Sequence, residues 1–494
     1  MNYQSTRGQT KAAVSAAEAI KNGLAPDGGL YMPEKIPTLS PEDLARLTDM
    51  DYAGRAADIL GRFLTDYTKE ELLSDCREAY GESRFPGGAA PITPLDKNVT
   101  MLELWHGPTS AFKDMALQIM PRLLSRALQK TGERRTALIL VATSGDTGKA
   151  ALEGYADIPQ VKMQVFYPAH GVSRVQKLQM ITQKGENVAV AGIEGNFDDA
   201  QTGVKKIFGD KAIEKELDKR NVFLSSANSI NWGRLAPQIV YYVSAYLDMV
   251  KAKTIVMGDT VDVAVPTGNF GNIFAAYIAK LMGLPIDKLV CASNKNNILT
   301  DFLTTGIYDR NRPFYTTISP SMDILISSNL ERLLYLVAGA EKTAKYMKEL
   351  NETGRYQLDE ADFDAIRASF VGYHCDEEKT VLTVGRTYSS QNELIDPHTA
   401  VGYSAALEHR ANGSVNPIIL ASTASPFKFA SDVYTAVTGE KATDELAAVD
   451  ELSLKTGKKI PMPLDGIGTR TIRFNDVISV SSMKDTVLSF AEKN

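Results

Sequence analysis

Cysteine is scarce in this chain: Cys76, Cys291 and Cys375 are the only three in 494 residues. They lie far apart, form no CxxC pair and leave an odd count, which argues against a disulfide framework or a thiolate metal cluster and fits a reducing cytoplasm. The five histidines, His106, His170, His374, His398 and His409, show no HExxH spacing, so no metal is assigned. Long apolar runs are missing too. No stretch approaches the roughly 18 residues needed to span a bilayer, and the opening MNYQSTRGQT has no apolar centre, so secretion and membrane insertion are not expected. Nor is there an excess of positive charge. With 54 basic against 60 acidic side chains the net charge is -6, which offers no broad basic surface for nucleic acid or anionic membrane. Small molecules are the expected partners, for a monomer or homodimer.

What is present is a large hydrophobic fraction, 44%, enough for two or three cored domains. Residues 1–97 read as mainly helical, with AAVSAAEAIKNGLA and SPEDLARLTDMDYAGRAADILGRFL carrying helical spacing and Ser40 placed as an N-cap ahead of Glu42. The Pro/Gly-rich FPGGAAPITPLD at 85–96 breaks that pattern and marks a boundary. Beyond it, short apolar runs are each followed by a Gly/Ser/Thr turn and a helical segment: TALILVATSGDTGKAALEGY, VDVAVPTGNFGNIFAAYIAKLMG and NPIILASTASPFKFASDVYTAV. This recurrence indicates an α/β architecture with mainly parallel sheets, whose ligands bind at the C-terminal ends of the strands. Two α/β domains are expected, 98–250 and 251–494, the second interrupted by a helical insertion at about 300–378.

The three turns, and two further clusters, are candidates for chemistry. In PTGNFGN, residues 266–272, Gly268 and Gly271 let the backbone approach a ligand, and the following helix directs free amides at it. This is either a phosphate cradle or a glycine-rich connection. TSGDTGKA at 143–150 has Thr143 and Ala150 where a P-loop requires Gly and Ser or Thr, so nucleotide hydrolysis is not expected. Its Ser144, Thr147 and amides suit a carboxylate or a phosphate, or simply cap a helix. STASPFKF at 422–429 offers Ser422, Thr423 and Ser425 at another strand end, and Asn228, Ser229, Asn231 and Arg234 form a fourth polar cluster. Arg234 suits a phosphate or a surface ion pair. In HGPTSAFKD, Lys113 stands at the start of the helical pattern MALQIMPRLLSRAL, an end where the macrodipole disfavours a cation. It requires either a solvent-exposed stem or a chemical reason.

Taken together, HGPTSAFKD, ATSGDTGKA, NSINWGR, PTGNFGN and TASPFKF resemble the threonine synthase family, in the fold-type II group of pyridoxal-phosphate enzymes, and YQSTRG with GLAPDGGLYMP resembles the N-terminal region of its longer subgroup. The resemblance runs in order over nearly the whole chain. It implies that Lys113 forms the Schiff base with pyridoxal 5'-phosphate and then moves protons at the substrate carbons, a role suited to a desolvated amine. It further implies that Gly268, Asn269, Phe270, Gly271 and Asn272 cradle the cofactor phosphate and that Thr423 meets the pyridine nitrogen. Ser144, Asp146 and Thr147 match the loop over the substrate carboxylate and cofactor face, and Ser229, Asn231 and Arg234 the part receiving the substrate phosphate. Asp146 stands where shorter relatives have an asparagine. The stretch TASPFKF departs from the family's usual TAHPAKF at Ser425 and Phe427. The implied reaction converts O-phospho-L-homoserine and water to L-threonine and phosphate. The alternatives are a threonine or serine dehydratase of the same fold type and a non-catalytic binding relative.

Overall fold

The computed structural model describes residues 1–9, 12–143 and 145–492. Helices Ala16–Asn22, Pro41–Thr48, Tyr52–Phe63 and Lys69–Tyr80 dominate the N-terminal part, with a small hairpin pairing Tyr3–Ser5 and Tyr31–Pro33. The caps explain where these helices begin. Ser15, Ser40 and Thr68 each close a reciprocal capping box, with Glu18, Asp43 and Glu71 respectively. Ser40 thus caps as expected, but its reciprocal partner is Asp43 rather than Glu42, because only the third helical residue reaches back to the cap amide.

Two sheets follow. One has five parallel strands in the order Val477–Ser479, Val188–Glu194, Val161–Pro168, Thr136–Ala142, Val222–Ser225. The other has six, in the order Phe370–His374, Ile286–Ser293, Val261–Pro266, Ile418–Ser422, Val99–Glu103, Ile92–Pro94, all parallel except the last pair. The division at 250 is therefore not followed by the sheets. Val99–Glu103 lies beside Ile418–Ser422, and Val477–Ser479 returns to the first sheet. Parallel neighbours are joined by long crossovers, so a strand's partner need not be near it in sequence.

The segment read as a helical insertion at about 300–378 does contain helices, including Leu330–Thr353 and Glu360–Arg367. It also contains the edge strand Phe370–His374 and a small hairpin, Ile307–Asp309 with Arg355–Gln357. Helix Trp232–Lys251 is buried along almost its whole length, and its Arg55–Asp248 ion pair at 2.7 Å ties it to the N-terminal helices. Tyr67, between two of those helices, and Tyr80, at the end of the last, donate to the carbonyls of Leu123 and Met115, at 2.9 and 2.6 Å, buttressing the segment just after Lys113.

Candidate active site

The turns after Val99–Glu103, Thr136–Ala142 and Ile418–Ser422 meet around Lys113. The helix expected after Lys113 forms in two pieces, Asp114–Leu117 and Met120–Lys130, because Pro121 has no N–H to donate to the Leu117 carbonyl four residues back. The loop ahead of Lys113 is fastened to the 422–425 turn. Phe112 N donates to Thr423 O at 2.8 Å, Ser425 N to Ser110 O at 3.0 Å, and Leu104 N to Ser422 O at 2.9 Å. Lys113 and Thr423 meet for this reason, although they are far apart in sequence. Ser425, buried, also caps the short turn Pro426–Phe429 by accepting from Phe427 N at 3.3 Å.

Asp114, the last residue of the HGPTSAFKD motif, shapes this loop from within by accepting Thr109 N and Thr109 Oγ1, both at 2.8 Å. Burial pushes its carboxyl up to about 7 against the pull of those two donors and of Lys428. A Cβ at Gly107 would come within 2.5 Å of the same carboxylate, so the glycine is required.

Lys113 has no exposed stem. Its Nζ lies 3.5 Å from Asp146 Oδ2 and donates to Ser321 Oγ at 3.3 Å, over the Phe112 ring at 4.8 Å. Burial lowers the pKa of the amine, Asp146 opposes the shift, and Lys428 and Arg234 add to it. Asp146 opens helix Asp146–Tyr155 and is wholly engaged by cations and donors: Lys428 Nζ at 2.9 Å, Gln176 Nε2 at 2.8 Å and Ser321 Oγ at 3.3 Å. Burial alone would raise its pKa, but Lys428 and Lys113 hold the carboxyl well below the usual range.

Thr143 organises the turn between them, accepting from Gly145 N at 3.0 Å and Gly148 N at 2.9 Å. Gly145 adopts φ 139°, and a Cβ there would meet the Gln176 side chain at 2.5 Å. Thr147 lies half-buried on the first helical turn. Ser144 lies outside the described residues.

The GNFGN turn follows Val261–Pro266 and opens helix Gly271–Leu281. Phe270 at its N-cap is left-handed, φ 62°, and no side chain caps the helix, so the first-turn amides are left for a ligand. Asn269 O accepts Asn329 N at 3.1 Å and Asn329 Nδ2 at 3.0 Å, and Gly268 O accepts Ser327 Oγ at 2.7 Å. Asn272 Oδ1 takes the hydroxyls of Tyr241 and Tyr242 at 2.6 and 2.5 Å, while its buried Nδ2 has no partner among the described residues.

In the fourth cluster, Arg234 is buried rather than a surface ion pair. Its Nη1 donates to Ala227 O at 2.5 Å, its Nε has no partner among the described residues, and burial lowers its pKa to about 10. Ser229 Oγ accepts from Asn329 Nδ2 at 3.4 Å. Asn231 is committed at both ends: Oδ1 caps helix Trp232–Lys251 through Gly233 N at 2.9 Å, and Nδ2 donates to Ile20 O at 2.8 Å. Its side chain anchors the N-terminal helices to the start of this one.

Comparison with known proteins accounts for this assembly. Models for the threonine synthase N terminus, for pyridoxal-phosphate dependent enzymes and for the threonine synthase C-terminal region match residues 2–80, 88–421 and 399–486. Threonine synthase of Pseudomonas aeruginosa is 40% identical over 443 residues, covering 89% of this chain and 91% of that protein. The chain belongs to the threonine synthase family. A PLP-bound threonine synthase from Brucella melitensis superposes with TM-score 0.88 at 35% identity, each chain covered in full. Human threonine synthase-like 1 is 42% identical over 433 residues, or 85% of this chain, and the chain spans 58% of that protein's length.

The family's cofactor, pyridoxal 5'-phosphate, fits the residues present: uncapped amides at Gly271–Leu281 with the unpartnered Asn272 Nδ2 beside them, and a desolvated lysine amine. Lys113, Asp146, Thr423 and the GNFGN loop all lie in motifs visible in the sequence. Lys428, fully buried and within 2.9 Å of both Asp146 Oδ1 and Thr109 O, is not among the residues expected from the sequence, although a lysine between two phenylalanines in TASPFKF is a signal for it. Ser321 gave none, being inside the segment read as a helical insertion.

Proposed function

We propose that this protein is a threonine synthase, a carbon-oxygen lyase that converts O-phospho-L-homoserine and water to L-threonine and phosphate. The observation that carries the reading is the desolvated Lys113 amine, set beside Asp146 and flanked by two places able to take an anion. Pyridoxal phosphate, when bound, supplies the electron sink for carbanions at the substrate carbons.

The rest falls to this chain. Gly268, Asn269, Phe270, Gly271 and Asn272 hold the cofactor phosphate through main-chain amides and the free Asn272 Nδ2. Thr423, buried at the end of Ile418–Ser422, would offer the ring nitrogen a neutral hydroxyl, which would protonate it less strongly than a carboxylate. Ser144, Thr147 and the amides opening helix Asp146–Tyr155 receive the substrate carboxylate. Asp146, itself an anion, cannot do so. It neutralises and orients Lys113 and Lys428. Arg234, with Ser229, takes the substrate phosphate, using its unpaired Nε–H. Lys113 Nζ takes protons from the α and β carbons and returns protons to the γ and α carbons, phosphate departs from the γ carbon, and water adds at the β carbon. The three free thiols are all buried, which supports a reducing cytoplasm.

The test is inorganic phosphate release from O-phospho-L-homoserine by protein reconstituted with pyridoxal phosphate, with threonine identified as the product. Pyruvate or 2-oxobutyrate from serine or threonine without phosphate release would make the protein a dehydratase. A cofactor-loaded protein that turns over none of these would be a binding relative.

A further inference from the structure

Segment 315–323 reaches Lys113 and Asp146 through Ser321, and it is held by two sets of hydrogen bonds. Behind it, the Asp323 carboxylate accepts Thr317 N at 2.9 Å, Thr317 Oγ1 at 2.8 Å, Asn294 Nδ2 at 2.8 Å and Asn296 Nδ2 at 3.0 Å. At its tip, Ser321 N donates to His398 Nε2 at 3.1 Å. That acceptance places the imidazole proton on Nδ1, which donates to Asp396 Oδ2 at 2.6 Å. Asp396 is itself fixed, accepting Thr399 N at 3.1 Å and the Thr399 hydroxyl, and the Phe429 ring meets His398 edge-on with centroids 4.9 Å apart. His398 and Asp396 are both buried.

What this scaffold presents is one hydroxyl. Ser321 Oγ accepts from Lys113 Nζ at 3.3 Å and donates to Asp146 Oδ2 at 3.3 Å, while Ser321 O packs where a Cβ on Gly268 would lie, 2.5 Å away. We propose that Ser321 is a further catalytic residue, which receives and steadies the Lys113 amine while it carries a proton, and that His398 is the positioning residue that holds Ser321 there. This rests on reading Lys113 as the proton-carrying residue.

The chemistry favours a hydroxyl. A lysine has a flexible four-carbon stem and needs a fixed partner to hold its head. A carboxylate can only accept, whereas a hydroxyl accepts from the charged amine and can donate to the neutral one, so Ser321 serves both states of Lys113. No reactant is added: the proton taken from one substrate carbon is returned to another by the same amine. The charged groups facing that amine are Asp146, Lys428 and Arg234.

The test uses holoenzyme. Ser321→Ala should lower kcat about tenfold or more at nearly unchanged KM, the signature of a contact used in the chemical step. The pH midpoint of the bound cofactor's visible absorbance, which reports the proton near the Lys113 nitrogen, should fall by about one unit as the acceptor is lost. His398→Leu should shift it in the same direction, and His398→Gln, whose amide oxygen can still accept the Ser321 N–H, should move it back. An unchanged midpoint and kcat in Ser321→Ala overturns the proposal, as does a His398→Gln no better than His398→Leu. If His398→Leu fails to fold, Ser321→Ala decides alone. A band that still titrates in Lys113→Ala overturns the reading of Lys113 and this inference with it; a Lys113-dependent band untouched by Ser321→Ala overturns the inference only.

Discussion

Lys428 Nζ stands 2.9 Å from Asp146 Oδ1, with its side chain wholly enclosed, while Lys113 approaches the other oxygen at 3.5 Å. One carboxylate thus serves two buried ammonium groups, and the second cation weakens the hold of Asp146 on the first. Lys428→Met should therefore raise the Lys113 pKa and slow turnover at neutral pH. It also removes one partner of a buried pair, a change that costs about 3–5 kcal/mol in folding stability. Denaturant unfolding of Lys428→Met and of Lys428→Met with Asp146→Asn checks this, the double variant recovering part of the loss.

Much of this arrangement was legible in the sequence, for a physical reason. A strand, a polar turn and a helix leave a local signature, and three such turns, at 143–148, 267–271 and 423–425, do border the site. What was not legible depends on partners distant in the chain. Val99–Glu103 and Val477–Ser479 are short strands whose sheet is chosen by remote neighbours. Phe370–His374, only five residues long, was hidden in a helix-rich stretch. Ser321 and His398 are unremarkable until the fold brings them together. Asn231 shows the converse: a motif residue in the expected place whose side chain also caps a helix and anchors Ile20, a structural duty the motif did not signal.

Asp114 gives a pH dependence with a definite sign. Its buried carboxyl keeps its proton up to about 7, whereas an unfolded aspartate releases it near 3.8. Across that window the folded state binds more protons, so this group's contribution to stability is lost as pH rises from about 4 to about 7. At about 1.4 kcal/mol per unit the loss is on the order of 4 kcal/mol. Relative to Asp114→Asn, which cannot titrate, the wild-type unfolding free energy should decline over that range and level off above it. A constant difference between the two would refute the assignment.

Gly268 tests how tightly the cofactor cradle is built. A Cβ there would sit 2.5 Å from Ser321 O, a backbone atom in a segment clamped by Asp323 and His398. Neither side can yield without moving the other. Gly268→Ala should destabilise the protein by about 1–3 kcal/mol and weaken pyridoxal phosphate retention, measured by dialysis against increasing concentrations of hydroxylamine, which traps the aldehyde as an oxime. Because Ser321 would be pushed from Lys113, kcat of the fully loaded variant should fall as well.

Arg234 separates the two anion sites. It is buried with one N–H unsatisfied among the described residues, the arrangement expected of a guanidinium awaiting an anion. Burial lowers its pKa only to about 10, so it stays charged at neutral pH. Arg234→Ala should raise KM for O-phospho-L-homoserine about a hundredfold, the loss of a charge-assisted pair, while pyridoxal phosphate still binds through the amides of Gly271–Leu281. Arg234→Lys should recover little, since a point charge cannot reproduce the planar fork. If instead the cofactor is lost and KM for the loaded fraction is unchanged, Arg234 belongs to the cofactor phosphate, and the substrate phosphate must be held by another group in the same cleft.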